Sequence, residues 1–174
     1  MSFIQMAEER FSVRKFKSDP IPDEVLDKIL SVVKMAPTAC NNQPQKVYVV
    51  KSPEVLAKLK TLSPCTFDAP VVLMVGYDTT LAARGRVKYQ KPHHDFGELD
   101  ASIVGTHLMF AAQEMGLGSC WVGYFTGPDV VSTLGLPETF QPMLLLPIGY
   151  PADDCVPNPA HTKSRAFEDM VSVL

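Results

Sequence analysis

The sequence predicts a mixed fold, helices packed on a β-sheet, and three observations carry that expectation. Four short runs rich in Val, Ile, Leu or aromatic residues, at 46–50, 69–77, 119–125 and 140–151, have the length and content of strands. Several of the segments around them place apolar residues three or four positions apart, the spacing of a helix lying on a core. Composition is globular: 46% apolar and 20% charged over 174 residues, enough for one domain, 1–174, with a sizeable core.

Each element follows from its own residues. Residues 3–9 read as a short helix, and the RFSVRKF run of 10–16 then alternates, as extended chain does. Residues 23–35, DEVLDKILSVVKM, form the clearest amphipathic helix. Leu26, Ile29, Leu30 and Val33 share a stripe, and the acidic residues of the first turn suit the positive end of a helix. A loop with two prolines and several amides leads into the strand 46–50. Residues 52–62 make a short helix with Ser52 as the expected cap. The next strand, 69–77, is nearly continuous in apolar residues and so reads as buried. Residues 79–97 are polar, basic and aromatic, the composition of a loop or lid. The helix 98–118 is apolar around most of its circumference and should be buried on several sides, with Gly116 and Gly118 at its exit. A strand at 119–125, a short helix at 127–136, a strand at 140–151 and a Pro-rich, then basic, tail complete the chain.

Alternation of strands and helices by itself suggests a doubly wound parallel sheet. Neither GxGxxG nor GxxxxGK follows any strand, however, so the usual nucleotide loops of such folds have no support. Other classes are also disfavoured. A net charge of −3 argues against general nucleic-acid binding. No run approaches the roughly 20 apolar residues of a membrane span. The first residues lack the zones of a signal peptide, so a cytoplasmic location is expected. Four scattered cysteines, Cys40, Cys65, Cys120 and Cys155, read as reduced thiols. His93 and His94 sit beside Asp95 and Glu98 without familiar ligand spacing, so no metal is expected.

Four constellations could carry chemistry. In extended chain Arg10, Ser12 and Arg14 share one face, with Phe11 and Val13 turned to the core. Two guanidinium forks and a hydroxyl suit a phosphate; a solvated edge is the plainer alternative. In the loop APTACNNQPQ, side-chain amides held between Pro37 and Pro44 can read the C=O and N–H edge of a heteroaromatic ring, or can simply satisfy a buried turn. In GLGSCWVGYF, Gly123 permits close approach to a strand, with simple packing as the alternative. In the tail, His161, Lys163 and Arg165 offer further phosphate contacts or form an exposed basic arm.

Together these segments resemble the FMN-dependent nitroreductase family. The resemblance rests on Arg10-Phe11-Ser12-Val13-Arg14-Lys15-Phe16, on Ala36-Pro37-Thr38-Ala39-Cys40-Asn41-Asn42-Gln43-Pro44, and on the helix from Asp100 into Gly116-Leu117-Gly118. It continues through Trp121-Val122-Gly123, Pro147-Ile148-Gly149-Tyr150-Pro151 and Arg165, in the family's order over nearly the whole chain. It implies an α+β sandwich around a mostly antiparallel sheet, in an intertwined homodimer with FMN at the interface. By the same resemblance Arg10, Ser12 and Arg14 match positions that hold phosphate and ribityl, and Lys163 and Arg165 match the tail that closes on phosphate. Pro37, Thr38, Ala39 and Asn41 match the loop that meets the flavin, with Thr38 and Ala39 acting through their backbones. Val122 and Gly123 match the strand segment near the ring.

The implied activity passes electrons from NADH or NADPH to a nitroaromatic, quinone or similar small acceptor by a ping-pong mechanism. Enoate reduction, dehalogenation and a non-catalytic electron carrier are the alternatives. Arg84, Arg86, Tyr89, His93 and His94 are candidates for donor or acceptor contact from position alone, and no catalytic acid or base is singled out. Gln45 stands where many members carry Trp, and the segment before Gly123 lacks the Glu of one large branch.

Overall fold

A computed structural model describes residues 2–84 and 96–174. Its centre is a four-stranded sheet of β1 (Gln45–Val50), β2 (Val71–Asp78), β3 (Gly118–Ser119) and β4 (Phe140–Gly149), in the order β1-β2-β4-β3. Every neighbouring pair is antiparallel. The parallel sheet suggested by alternation is therefore wrong, and the antiparallel sheet implied by the family resemblance is the one observed. Order along the chain does not set strand direction. A 3-10 turn at Pro64–Thr66 and two left-handed residues, Phe67 and Asp68, precede β2, which enters against β1.

The period-2 alternation of the strands divides the core into two layers. On one face Val71, Leu73, Val75 and Tyr77 of β2 pack with Leu144, Leu146 and Ile148 of β4, and with Val47 and Val49 of β1. Two helices cover this face: α2 (Asp23–Ser31), through Leu26 and Ile29, and α4 (Gly97–Glu114), through Ala101, Val104, Leu108 and Ala112. On the other face Val50, Val72, Met74, Phe140 and Leu145 meet Leu59 of α3 (Pro53–Leu62) and Val130 of α5 (Gly127–Leu134). The result is a helix–sheet–helix sandwich. β2 is buried along nearly its whole length because both of its faces and both of its edges are covered.

Local details depart from expectation for identifiable reasons. The helix expected over 23–35 turns 3-10 at Val32–Lys34, where the Gln45 amide takes the Val33 carbonyl at 3.2 Å. Ser52 sits at the N-cap of α3 without a side-chain cap bond, and Pro53 presets the first helical φ instead. Ser2, in contrast, forms a full capping box with Gln5 at the start of α1 (Phe3–Glu9). The strand expected over 119–125 shrinks to Gly118–Ser119 with an isolated bridge at Val122. Its partner β4 carries Pro147, which accepts from the Cys120 N–H at 3.3 Å but has no N–H to return. The ladder resumes at Val122, which exchanges both bonds with Leu145 at 3.0 and 2.9 Å.

Candidate functional site

Residues 10–17 run alongside the sheet rather than within it. The Val13 N–H donates to the Ser119 carbonyl at 2.9 Å, and Ser12 bridges Ser119 in parallel. Further on, Phe16 pairs with Pro151, the Lys17 N–H donates to Tyr150, and the Ala152 N–H donates to Lys15. Two ion pairs at 2.6 Å, Lys15–Asp154 and Lys17–Asp153, close this end. The hydrogen-bonded Lys15 ammonium holds the Asp154 carboxyl below its ordinary range. That contribution is complete above the ordinary carboxylate range and is lost as pH falls through the lowered value.

Pinned in this way, the segment buries Val13 to 2% exposure and leaves Arg14 exposed, with Arg10 and Ser12 half-buried. The Arg14 guanidinium folds back on the segment and donates to the Ser12 carbonyl at 3.3 Å. Burial pushes the Cys120 thiol up, and Arg14, the Ser12 hydroxyl and Arg10 pull it back. Phe11 differs from expectation: it is half-buried and meets the His161 ring edge-on, 6.3 Å between centroids, rather than joining the core.

Gly118 makes the placement of Val13 possible. A Cβ at 118 would overlap the Val13 side chain, coming within 2.8 Å of its Cβ. Gly118→Ala is therefore expected to cost roughly 1–3 kcal/mol by overpacking. A thermal melt against wild type checks this, and an unchanged midpoint contradicts it.

The amide-rich loop is a 3-10 turn over Ala39–Asn41 in which Cys40, Asn41 and Gln43 all take positive φ, at 55°, 53° and 50°. Left-handed backbone at non-glycine residues persists only where the surroundings over-determine it. Here the Asn41 and Asn42 N–H groups bond to the Thr38 and Ala39 carbonyls at 3.0 and 3.1 Å. The Gln43 N–H bonds to the Thr38 hydroxyl at 3.1 Å, so Thr38 acts through its side chain as well as its backbone. Asn42 reaches the Leu81 carbonyl, and the Gln43 amide donates to Asn41 Oδ1 at 3.2 Å. Underneath, the Ala39 N–H donates to Asp100 Oδ1 of α4 at 2.9 Å. Asp100 is 2% exposed, and its other oxygen has no partner among the described residues. The sequence reading used Asp100 only to mark a helix and missed this contact.

The remaining candidates are placed as follows. Val122 is buried at its bridge to Leu145, whereas Gly123 is exposed, and a Cβ there would meet nothing within 4 Å. Pro37 and Asn41 are exposed at the rim of the loop. Lys163 and Arg165 are exposed, and Arg165 donates to the Asp169 carbonyl at 3.3 Å. Among the described residues neither has a hydrogen bond or ion pair to residues 10–14; the tail meets that segment where His161 packs on Phe11. Arg84 is exposed, and Arg86, Tyr89, His93 and His94 lie outside the described residues. Among the described residues no cluster of His, Cys, Asp or Glu could hold a metal, and no helix is long and apolar enough to cross a membrane.

This fold and order of segments have close parallels. A crystal structure of a nitroreductase family protein from Clostridium difficile 630 superposes with a TM-score of 0.89 at 31% identity, over 99% of this chain and 98% of that one. A protein of Methanothermobacter thermautotrophicus, provisionally named an NADH dehydrogenase/NAD(P)H nitroreductase, is 30% identical over 161 residues, 88% of this chain and 80% of its own. A Bacillus subtilis protein named FMN reductase [NAD(P)H] is 30% identical over 166 residues, 85% of this chain and 65% of its own. The model of the nitroreductase family matches residues 7–67 and 59–150, taking in the Arg10–Arg14 segment, the amide loop and the whole sheet, and the chain belongs to that family.

Proposed function

We propose that this protein is an FMN-dependent oxidoreductase that takes reducing equivalents from NADH or NADPH and passes them to a small acceptor such as a nitroaromatic or a quinone. The placement of Arg10, Ser12 and Arg14 on one pinned, extended segment carries the reading. Two guanidinium groups and a hydroxyl, on a segment fixed at both ends, form a donor set suited to a phosphate monoester. FMN joins such a phosphate to a ring whose edge carries C=O and N–H groups, and the donors and acceptors of the 38–43 loop suit that edge. The open space over Gly123 leaves room for a planar ring. A relative named FMN reductase [NAD(P)H] supports the same cofactor and donors.

FMN, when bound, supplies two-electron chemistry, and the chain binds and orients. Arg10, Ser12 and Arg14 hold phosphate and ribityl, with Lys163 and Arg165 closing from the tail. Pro37, Thr38, Ala39 and Asn41 meet the ring edge, while Val122 and Gly123 line its face. Donor and acceptor use that site in turn, the logic of a ping-pong reaction.

The reading also calls for two copies of the chain, with FMN at their interface. Phe167, Met170, Val171 and Val173 of the tail, with Phe3, Ile4 and Leu99, expose apolar surface that a second copy would cover. Titrating apoprotein with FMN tests the proposal. Saturable uptake of one FMN per chain is expected, and absence of uptake overturns it.

A further inference from the structure

We propose that Asp100 is the positioning residue of the 38–43 loop, acting through the Ala39 N–H to set which main-chain donors the loop offers to FMN; this rests on the FMN reading above. The loop's N–H groups can be followed one by one. Asn41, Asn42 and Gln43 are satisfied within the loop, at the Thr38 carbonyl, the Ala39 carbonyl and the Thr38 hydroxyl. Ala39 is satisfied from outside by Asp100 Oδ1. The N–H groups of Thr38 and of the exposed Cys40 have no acceptor among the described residues. By taking the Ala39 N–H inward, Asp100 leaves Thr38 and Cys40 as the loop's available main-chain donors.

Two side-chain ties hold the loop to the body of the protein among the described residues: Asn42 to the Leu81 carbonyl, and Ala39 to Asp100. Leu81 is exposed. Asp100 sits in the first turn of α4, whose Ala101, Val104 and Leu108 are fully buried, so it is the rigid anchor of the two. A loop with three left-handed non-glycine residues needs such an anchor.

The chemistry of the residue agrees. A buried carboxyl with Oδ2 unpartnered is costly where an apolar side chain would fill the same volume. The N-terminal end of α4 offsets part of that cost. What Asp100 supplies that Leu cannot is an acceptor for Ala39.

Reconstituting three variants with FMN and measuring affinity, the visible flavin spectrum and far-UV circular dichroism separates acceptor from volume. Asp100→Asn keeps a carbonyl acceptor and is expected to bind FMN within about threefold of wild type, whereas Asp100→Leu and Asp100→Ala bind at least about tenfold more weakly with an altered spectrum. Wild-type affinity in Asp100→Leu overturns the proposal. If the Leu variant does not fold, Asp100→Ala binding as tightly as Asp100→Asn overturns it. Failure of the wild-type protein to take up FMN overturns the FMN reading together with this one, and that arm identifies the case.

Discussion

Replacing Arg14 with Ala is expected to weaken FMN binding by about 10- to 150-fold, the range of a hydrogen bond to a charged group, roughly 1.5–3 kcal/mol. The guanidinium is exposed, and among the described residues its one hydrogen bond runs from Nη1 to the Ser12 carbonyl at 3.3 Å, so it is available to a phosphate. Removing it leaves the main-chain bonds of the segment intact, because Val13, Lys15 and Lys17 carry them. The loss should therefore appear in affinity and not in the fold. Raising the ionic strength should narrow the gap between wild type and variant, since salt screens an exposed charge. Calorimetric titration of apoprotein reads the effect, and an affinity within twofold of wild type contradicts the phosphate assignment.

Leu73→Ala should have the largest effect on stability. Leu73 lies in the middle of β2, opposite Val49 on one neighbour and Leu146 on the other, and is fully buried against the α2 and α4 face. Truncating a leucine at such a site costs about 2–5 kcal/mol, since the surrounding strands and helices cannot collapse into the space. Denaturant unfolding of the FMN-free proteins is the measurement, because bound ligand would add its own linkage to the apparent stability of both. A midpoint unchanged from wild type would show that β2 is not the centre of the core.

How far the sequence could be read differed by element, for physical reasons. β2 and β4 were plain because both faces are covered, which leaves near-continuous apolar runs. Their direction was not, because alternation of element types is equally compatible with either sense of pairing; only resemblance to a family supplied it. β3 was overextended because the interruption comes from Pro147, a residue of its partner strand. At the site, Arg10, Ser12 and Arg14 were legible from the two-residue period of extended chain, whereas Phe11 was not. Phe11's half-exposed position depends on the tail and His161, 150 residues away.

The loop was legible as a rigid element but not in its backbone, since Cys40, Asn41 and Gln43 take positive φ without a glycine to announce it. Asp100 did carry a signal. It falls four residues before Val104 and eight before Leu108, so it places a carboxyl on the most buried stripe of α4. A charged residue type in a buried stripe requires a partner, and that partner proved to be the loop.

A chain that uses FMN to move electrons from a nicotinamide must show its flavin reduced by the donor and reoxidised by the acceptor. The most direct test is anaerobic rapid mixing of the FMN-loaded protein with NADH and with NADPH, while following the visible absorbance of the flavin. At least one donor should bleach it at a rate that saturates with donor concentration, and a nitroaromatic or quinone should then restore the colour. A loaded protein that keeps its colour with both donors would contradict the account.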